Sequence, residues 1–183
     1  MSLHADVVAS LRSYNPPDPD QVRLREDYLA YVLEHDDATW RTCVPDHVTA
    51  SALVVSPSGD RVLLALHRRA GQWFQTGGHL EAGDTTLAGA ALREGAEESG
   101  LTDLVLLGDG PVRLDRHPAP CSTPGVRDHL DVQFVAVSRG VGEPVVSDES
   151  LDVRWFDAAD PTVSADASVR SLVAAAAERV RAC

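Results

Sequence analysis

Between Gly78 and Leu101 the chain reads G-H-L-E-A-G-D-T-T-L-A-G-A-A-L-R-E-G-A-E-E-S-G-L, and the second half of this stretch constrains the fold more than any other segment. At about 100° per residue, a helix brings Glu94, Glu97 and Glu98 within an arc of roughly 100°. Ala88, Leu92, Gly95 and Ala96 fall on another side and are small enough to let the helix approach a sheet closely. Gly100 stands in the usual C-terminal stop position. Left to itself this helix is unfavourable. Like charges at i and i+4 repel, carboxylates near a helix C-terminus meet the wrong end of the dipole, and an internal Gly95 costs about 1 kcal/mol. A hard divalent cation such as Mg²⁺ would offset the penalty, because it binds carboxylate oxygens and bridges them to phosphates. The alternative is a solvated acidic face.

The flanking sequence predicts strands. The runs Val48 to Ser56 and Arg61 to His67 are rich in Val, Leu and Ala, and Pro57-Ser58-Gly59-Asp60 between them signals a hairpin turn. A glycine-rich loop (Gly77, Gly78, Gly83) leads into the acidic helix, expected from about Thr85 to Ser99. Further strands are expected at Asp103 to Leu107, Val112 to His117, His129 to Val137 and Asp152 to Phe156. The segment from Asp166 to Arg181 puts Val169, Leu172, Val173, Ala176 and Val180 on one helical stripe. Near the start, His4 to Ser13 and Asp18 to Glu34 read as helices, broken by Asn15-Pro16-Pro17, with Asp18 before Pro19 as a helix opening. The expected organisation is α/β, with residues 1–42 a helical extension on a domain of residues 43–183.

The acidic helix resembles the Nudix signature, in which a glycine, five residues, an acid and seven residues precede R-E-U-x-E-E-x-G-U, with U bulky and apolar. Gly78, Arg93, Glu94, Glu97, Glu98, Gly100 and Leu101 match. There are three departures: the first acid is Asp84, eight residues rather than seven separate it from Arg93, and Gly95 replaces a bulky residue. Asp84 is either the signature acid or only a helix N-cap. The resemblance implies a Nudix-type αβα sandwich with a mixed sheet, and a hydrolase cleaving a diphosphate linkage in a nucleoside diphosphate derivative or similar small substrate. It also implies Mg²⁺ or Mn²⁺ held by Glu94, Glu97, Glu98 and the Gly78 carbonyl, with Arg93 orienting a glutamate. The base that takes the water proton is either a signature glutamate (Glu97 or Glu98) or an acid of the Ser147-Asp148-Glu149-Ser150 loop, of which Glu149 is favoured.

Histidines form a second pattern. His129 and Asp131 stand at i and i+2, on one face of a strand, His79 lies in the glycine loop and His47 opens the first sheet strand. If these segments meet, they make a second metal site of His47, His79, His129 and Asp131, and imidazole favours Zn, Mn or Fe over Mg. His4, His35, His67 and His117 fit no such pattern. The layout also resembles isopentenyl-diphosphate isomerase, whose catalytic cysteine precedes G-H, where this chain has Gly77. An isomerase and a non-catalytic nucleotide-binding Nudix module are therefore kept as alternatives. Trp73, Phe74 and Trp155 are candidates to stack a base, and Arg68, Arg69 and Arg127 to meet phosphates.

Composition narrows the partners. A net charge of -12 argues against extended nucleic acid, and all 16 basic residues are arginine, which excludes a P-loop or Schiff-base lysine. Cys43, Cys121 and Cys183 are widely spaced and read as reduced thiols. No apolar run approaches the roughly 20 residues of a membrane helix, so no membrane partner is expected and the expected compartment is the cytoplasm. A homodimer is left open.

Overall fold

The computed structural model describes residues 1–119, 124–140, 142–148, 150–160 and 163–182. Two helices, α1 (Leu3–Ser13) and α2 (Pro19–Glu34), precede the strands β1 (Asp46–Val55), β2 (Arg61–His67), β3 (Trp73–Phe74) and β4 (Thr76–His79). The acidic helix α3 (Leu87–Ser99) follows, then β5 (Leu104–Leu106), β6 (Arg113–Pro118), β7 (Asp128–Ser138), β8 (Ser150–Asp157) and the last helix α4 (Ala167–Arg181). Asp18 caps α2 by accepting from the Gln21 amide, and Asp166 caps α4 by accepting from the Ser168 and Val169 amides. Gly100 ends α3 at φ 70°, the left-handed conformation that glycine adopts without a Cβ clash.

The sheet is mixed. β1 and β7 run parallel in register from Asp46↔Asp128 to Val55↔Val137, while β2 and β4 pair antiparallel with β1, β5 and β6 with β7, and β8 with β2. Alternation then divides the two central strands between two layers. Val48, Ala50 and Ala52 of β1, with Leu130, Val132 and Phe134 of β7, face a core shared with α1, α2 and α3. Leu53 and Val55, with Val135, face α4 through Val169, Leu172 and Val173. This is the αβα sandwich with a mixed sheet and N-terminal helices that the sequence implied. On the α4 side the odd positions change character along each strand. The first halves carry His47, Thr49, Ser51 and His129, Asp131, Gln133, and only the second halves are apolar. The apolar half seats α4, and the polar half floors a cleft.

The sequence expectation of a glycine loop at Gly77-Gly78 is corrected here, because both residues lie in β4. Gly77 faces Ser51 so closely that an added Cβ would stand 2.3 Å from the Ser51 Cβ. The absence of side chains is what lets β4 pair with β1, and glycine's poor strand propensity hides this in the sequence.

The first two helices join the same core. Buried Gln21 accepts the Tyr14 hydroxyl (2.8 Å) and the Leu114 amide (2.7 Å), and it donates to the Leu114 carbonyl (2.9 Å). Asp6 of α1 accepts from the Leu87 amide at the start of α3 (2.7 Å). Among the described residues no helix is long and apolar enough to cross a membrane.

Candidate active site and histidine cluster

Helix α3 lies against β1 and β4 because its packed side is small. Gly95 is buried, and a Cβ there would come within 2.9 Å of Leu104 Cδ1. This close seat explains the departure from the bulky residue of the signature, and it turns Arg93, Glu94, Glu97 and Glu98 toward the β4 strand.

Arg93 uses its guanidinium fully. Its Nε and Nη2 donate to the two Asp84 carboxylate oxygens (3.0 and 2.9 Å), Nη1 donates to Glu94 (2.9 Å) and Glu97 (3.0 Å), and Nη2 also reaches the His79 carbonyl (3.0 Å). A guanidinium has five N–H donors, so none is left over. Asp84 is thus no helix cap, a role that Thr86 fills through the Gly89 amide; it is the bidentate partner of Arg93, and it also accepts from the Glu81 amide (2.8 Å). Burial works to raise the Asp84 carboxyl, but the Arg93 bonds and the Glu81 amide outweigh it and hold the group below the usual carboxylate range. The extra residue after Asp84 is absorbed before α3 begins, so the shorter acid still reaches the arginine.

Glu94, Glu97 and Glu98 line a hollow of about 230 Å³ together with Gly78, His79 and Arg41. A Cβ on Gly78 would stand 2.8 Å from the Glu94 carboxylate, so a bare backbone is what fits beside it. Gathered carboxylates, a close backbone and an arginine that fixes two of the three acids suit a hard divalent cation. Glu98 and Gly78 also border a larger cleft of about 750 Å³. Its rim includes Arg68, Arg69, Phe74 and Asp148. Arg68 donates to the Asp148 (3.2 Å) and Ser150 (3.1 Å) carbonyls, tying the late acidic loop to the cleft. Glu149 itself lies outside the described residues, as do Cys121 and Cys183. Trp73 packs edge-on against Phe156 at 4.8 Å, and Arg61 covers Trp155 at 5.5 Å. Of the three aromatic candidates, Phe74 is the one that lines the cleft.

The histidines do meet. His47 and His129 are direct partners in the β1–β7 pairing, and His79 ends β4 opposite Thr49. Ring centroids are 4.9 Å apart for His47 and His129 and 5.1 Å for each pair with His79. All three rings are held toward the neutral form. Burial lowers His47; burial, then the neighbouring His47 and Arg41, takes His79 down to about 4; burial, then His117, His47 and His79, takes His129 down to about 3.

Asp131, expected as a fourth ligand, does not join the group. It is buried, accepting from Thr49 Oγ1 (3.0 Å), Ser51 Oγ (2.6 Å) and Gln133 Nε2 (3.3 Å), and burial raises its carboxyl despite the nearby His117. Sequence reasoning passed over His117, whose Nδ1 bonds Asp115 at 2.8 Å and whose ring meets His129 edge-on at 5.3 Å. Burial depresses His117, but the Asp115 bond and the charges of Asp131 and Asp115 raise it overall. The signal was present: Asp115 and His117 alternate on β6 as His129 and Asp131 do on β7. Arg41, which borders both hollows, carries no sequence signal.

A profile described as the NUDIX domain matches residues 45–175. The chain belongs to the Nudix family. Such membership supports a pyrophosphohydrolase, and divalent metal is in general use among Nudix proteins. Solved structures of the same fold include a Nudix-family hydrolase from Clostridium perfringens, with a TM-score of 0.59 at 22% identity over 73% of this chain and 97% of that one. An Ap4A hydrolase from C. elegans aligns with a TM-score of 0.63 at 19% identity, covering 74% of this chain and 98% of that one. The NUDIX domain of Shewanella oneidensis NrtR, solved with ADP ribose, aligns with a TM-score of 0.57 at 19% identity over 82% and 97% of the two chains. At these identities the likeness shows the Nudix fold. No curated protein matches the sequence.

Proposed function

We propose that this Nudix protein hydrolyses a diphosphate linkage in a nucleoside diphosphate derivative, using Mg²⁺ or Mn²⁺ held by Glu94, Glu97, Glu98 and the Gly78 carbonyl. The observation that carries the reading is the convergence of those four residues on one hollow, with Arg93 fixing Glu94 and Glu97. Bound there, a divalent ion would supply polarisation of the attacking water and neutralise charge developing on the bridging oxygen. The chain's own residues do the rest. Arg93 is a positioning residue: by fixing two carboxylates and the His79 carbonyl, it spares them reorganisation when the phosphates arrive. Glu98 borders both hollows, so it stands where the hydrolytic water and the substrate meet. Glu97, Glu98 or the loop acid Glu149 accepts the water proton. Arg41, Arg68 and Arg69 supply positive charge to the remaining phosphate oxygens, and Phe74 offers an apolar surface to a base.

The isomerase alternative loses ground at Gly77, where the Ser51 contact leaves no room for a cysteine side chain. A binding module without catalysis would have no need of all three glutamates held in this way.

The test is a screen of purified protein with Mg²⁺ or Mn²⁺ against ADP-ribose, Ap4A, dihydroneopterin triphosphate, sugar nucleotides and a prenyl diphosphate, with products identified by mass. The first two and the third are named in structures sharing this fold. Phosphate-bearing cleavage products from a nucleotide compound are expected. Double-bond migration without cleavage, or binding with no turnover of any compound, would overturn the proposal.

A further inference from the structure

We propose that His47, His79 and His129 form a transition-metal site of the Zn²⁺ type, with ligands distinct from those of the glutamate hollow that His79 also borders, and with a coordination position open to the cleft that takes a phosphate oxygen of the substrate. The three rings come from three strands, β1, β4 and β7, and project from one face of the sheet. Their ligand nitrogens all lie within 4.8 Å of one another. A tetrahedral ion with bonds of about 2.0–2.1 Å to nitrogen needs donors roughly 3.3 Å apart, within reach of small ring rotations.

His47 is fully buried at 0% exposure, yet among the described residues neither of its ring nitrogens makes a hydrogen bond of ordinary geometry, with the Cys43 backbone as a polar neighbour, and the Nε2 atoms of His79 and His129 are buried without partners there as well. Buried polar atoms are nearly always satisfied, and unsatisfied nitrogens on three rings gathered this closely call for a shared partner. A cation fits the surroundings. Asp131 and Asp115 stand on the neighbouring positions of the same face, and Asp131, anchored by Thr49 and Ser51, does not compete as a ligand. His117, fixed by Asp115, packs its ring edge-on against His129 and walls that side of the cluster. An all-nitrogen donor set selects Zn, Co, Ni or Cu over Mg.

Three protein ligands with a fourth position left for water or substrate mark catalytic rather than structural zinc sites. His79 and His129 line the large cleft beside Gly78 and Glu98, so the fourth position faces the diphosphate. The nature of that occupant rests on the hydrolase reading; the ion itself does not.

The experiment is a Co²⁺ titration of full-length protein stripped with chelator. One equivalent should bind with the strong visible absorption of a nitrogen-ligated low-coordination site, and Zn²⁺ should displace it. His79→Asn and His129→Asn should weaken Co²⁺ binding more than about 100-fold, beyond the range for outer-shell partners, with circular dichroism confirming that each variant is folded. Glu98→Gln and His67→Asn should keep the wild-type spectrum. Inorganic pyrophosphate should shift the absorption. Absence of a stoichiometric site, or a spectrum indifferent to His79→Asn in a folded variant, would overturn the site; an unshifted spectrum with pyrophosphate would overturn its open position. A sound Co²⁺ site in a protein that turns over no diphosphate would count against the hydrolase reading alone.

Discussion

At the scale of single residues, most depends on one guanidinium. With Arg93 replaced by alanine, Asp84 and Glu94 lose their partly buried cation, and the acids of the hollow lose a screening charge. Activity with Mg²⁺ should fall roughly 10- to 100-fold, as for other loss of outer-shell support, and more metal should be needed for half-maximal rate. Metal titrations of rate check this, and an unchanged half-saturation would refute the positioning role. Asp84 gives a separate test through pH. Its folded-state carboxyl titrates below the unfolded value of about 3.9. The stabilisation from its ion pair is therefore present above that unfolded value and is lost as pH falls through the folded one. Asp84→Asn should be less stable than wild type near pH 7, and the gap should narrow in denaturant melts as pH falls below the unfolded value. A gap of constant size would show that Asp84 acts otherwise.

At the scale of elements, closeness of approach decides which residues the site can use. Gly95 lets α3 settle on β5, and restoring the bulky residue of the signature with Gly95→Ile would drive a side chain into Leu104. Overpacking of this kind costs about 1–3 kcal/mol, measurable as a lowered denaturation midpoint, and an unchanged midpoint would show slack between α3 and β5. The helices, the hairpin and the register of α3 were legible because hydrophobic period and capping residues mark them directly. β4 was not, since a strand of Thr-Gly-Gly-His exists through its fit to Ser51 and not through its own propensity. The histidine cluster was half legible. Alternation placed His129 and Asp131 on one face, but the hydroxyls that claim Asp131 and the β6 strand that brings in His117 follow from strand order, which alternation does not encode.

At the scale of the molecule, the N-terminal helices are part of how the sheet is finished. Gln21 meets both backbone groups of Leu114 on β6, so Gln21→Ala would strand a buried amide and carbonyl and should destabilise the whole chain by about 1–3 kcal/mol in equilibrium unfolding. A local effect with no shift in global stability would show that the helices dock only loosely. The segment after α2 also carries Arg41 to the edge of both hollows, a meeting of distant segments that no local pattern in the sequence announces. The central claim is that the carboxylates of α3 perform metal-assisted cleavage of a diphosphate. The most direct measurement is kcat for wild type and Glu98→Gln on the best diphosphate substrate across a Mg²⁺ or Mn²⁺ titration. The account predicts a loss of about 100-fold or more in the variant, the usual effect of removing a positioned acid or base, with circular dichroism unchanged; equal turnover by the two proteins would contradict it.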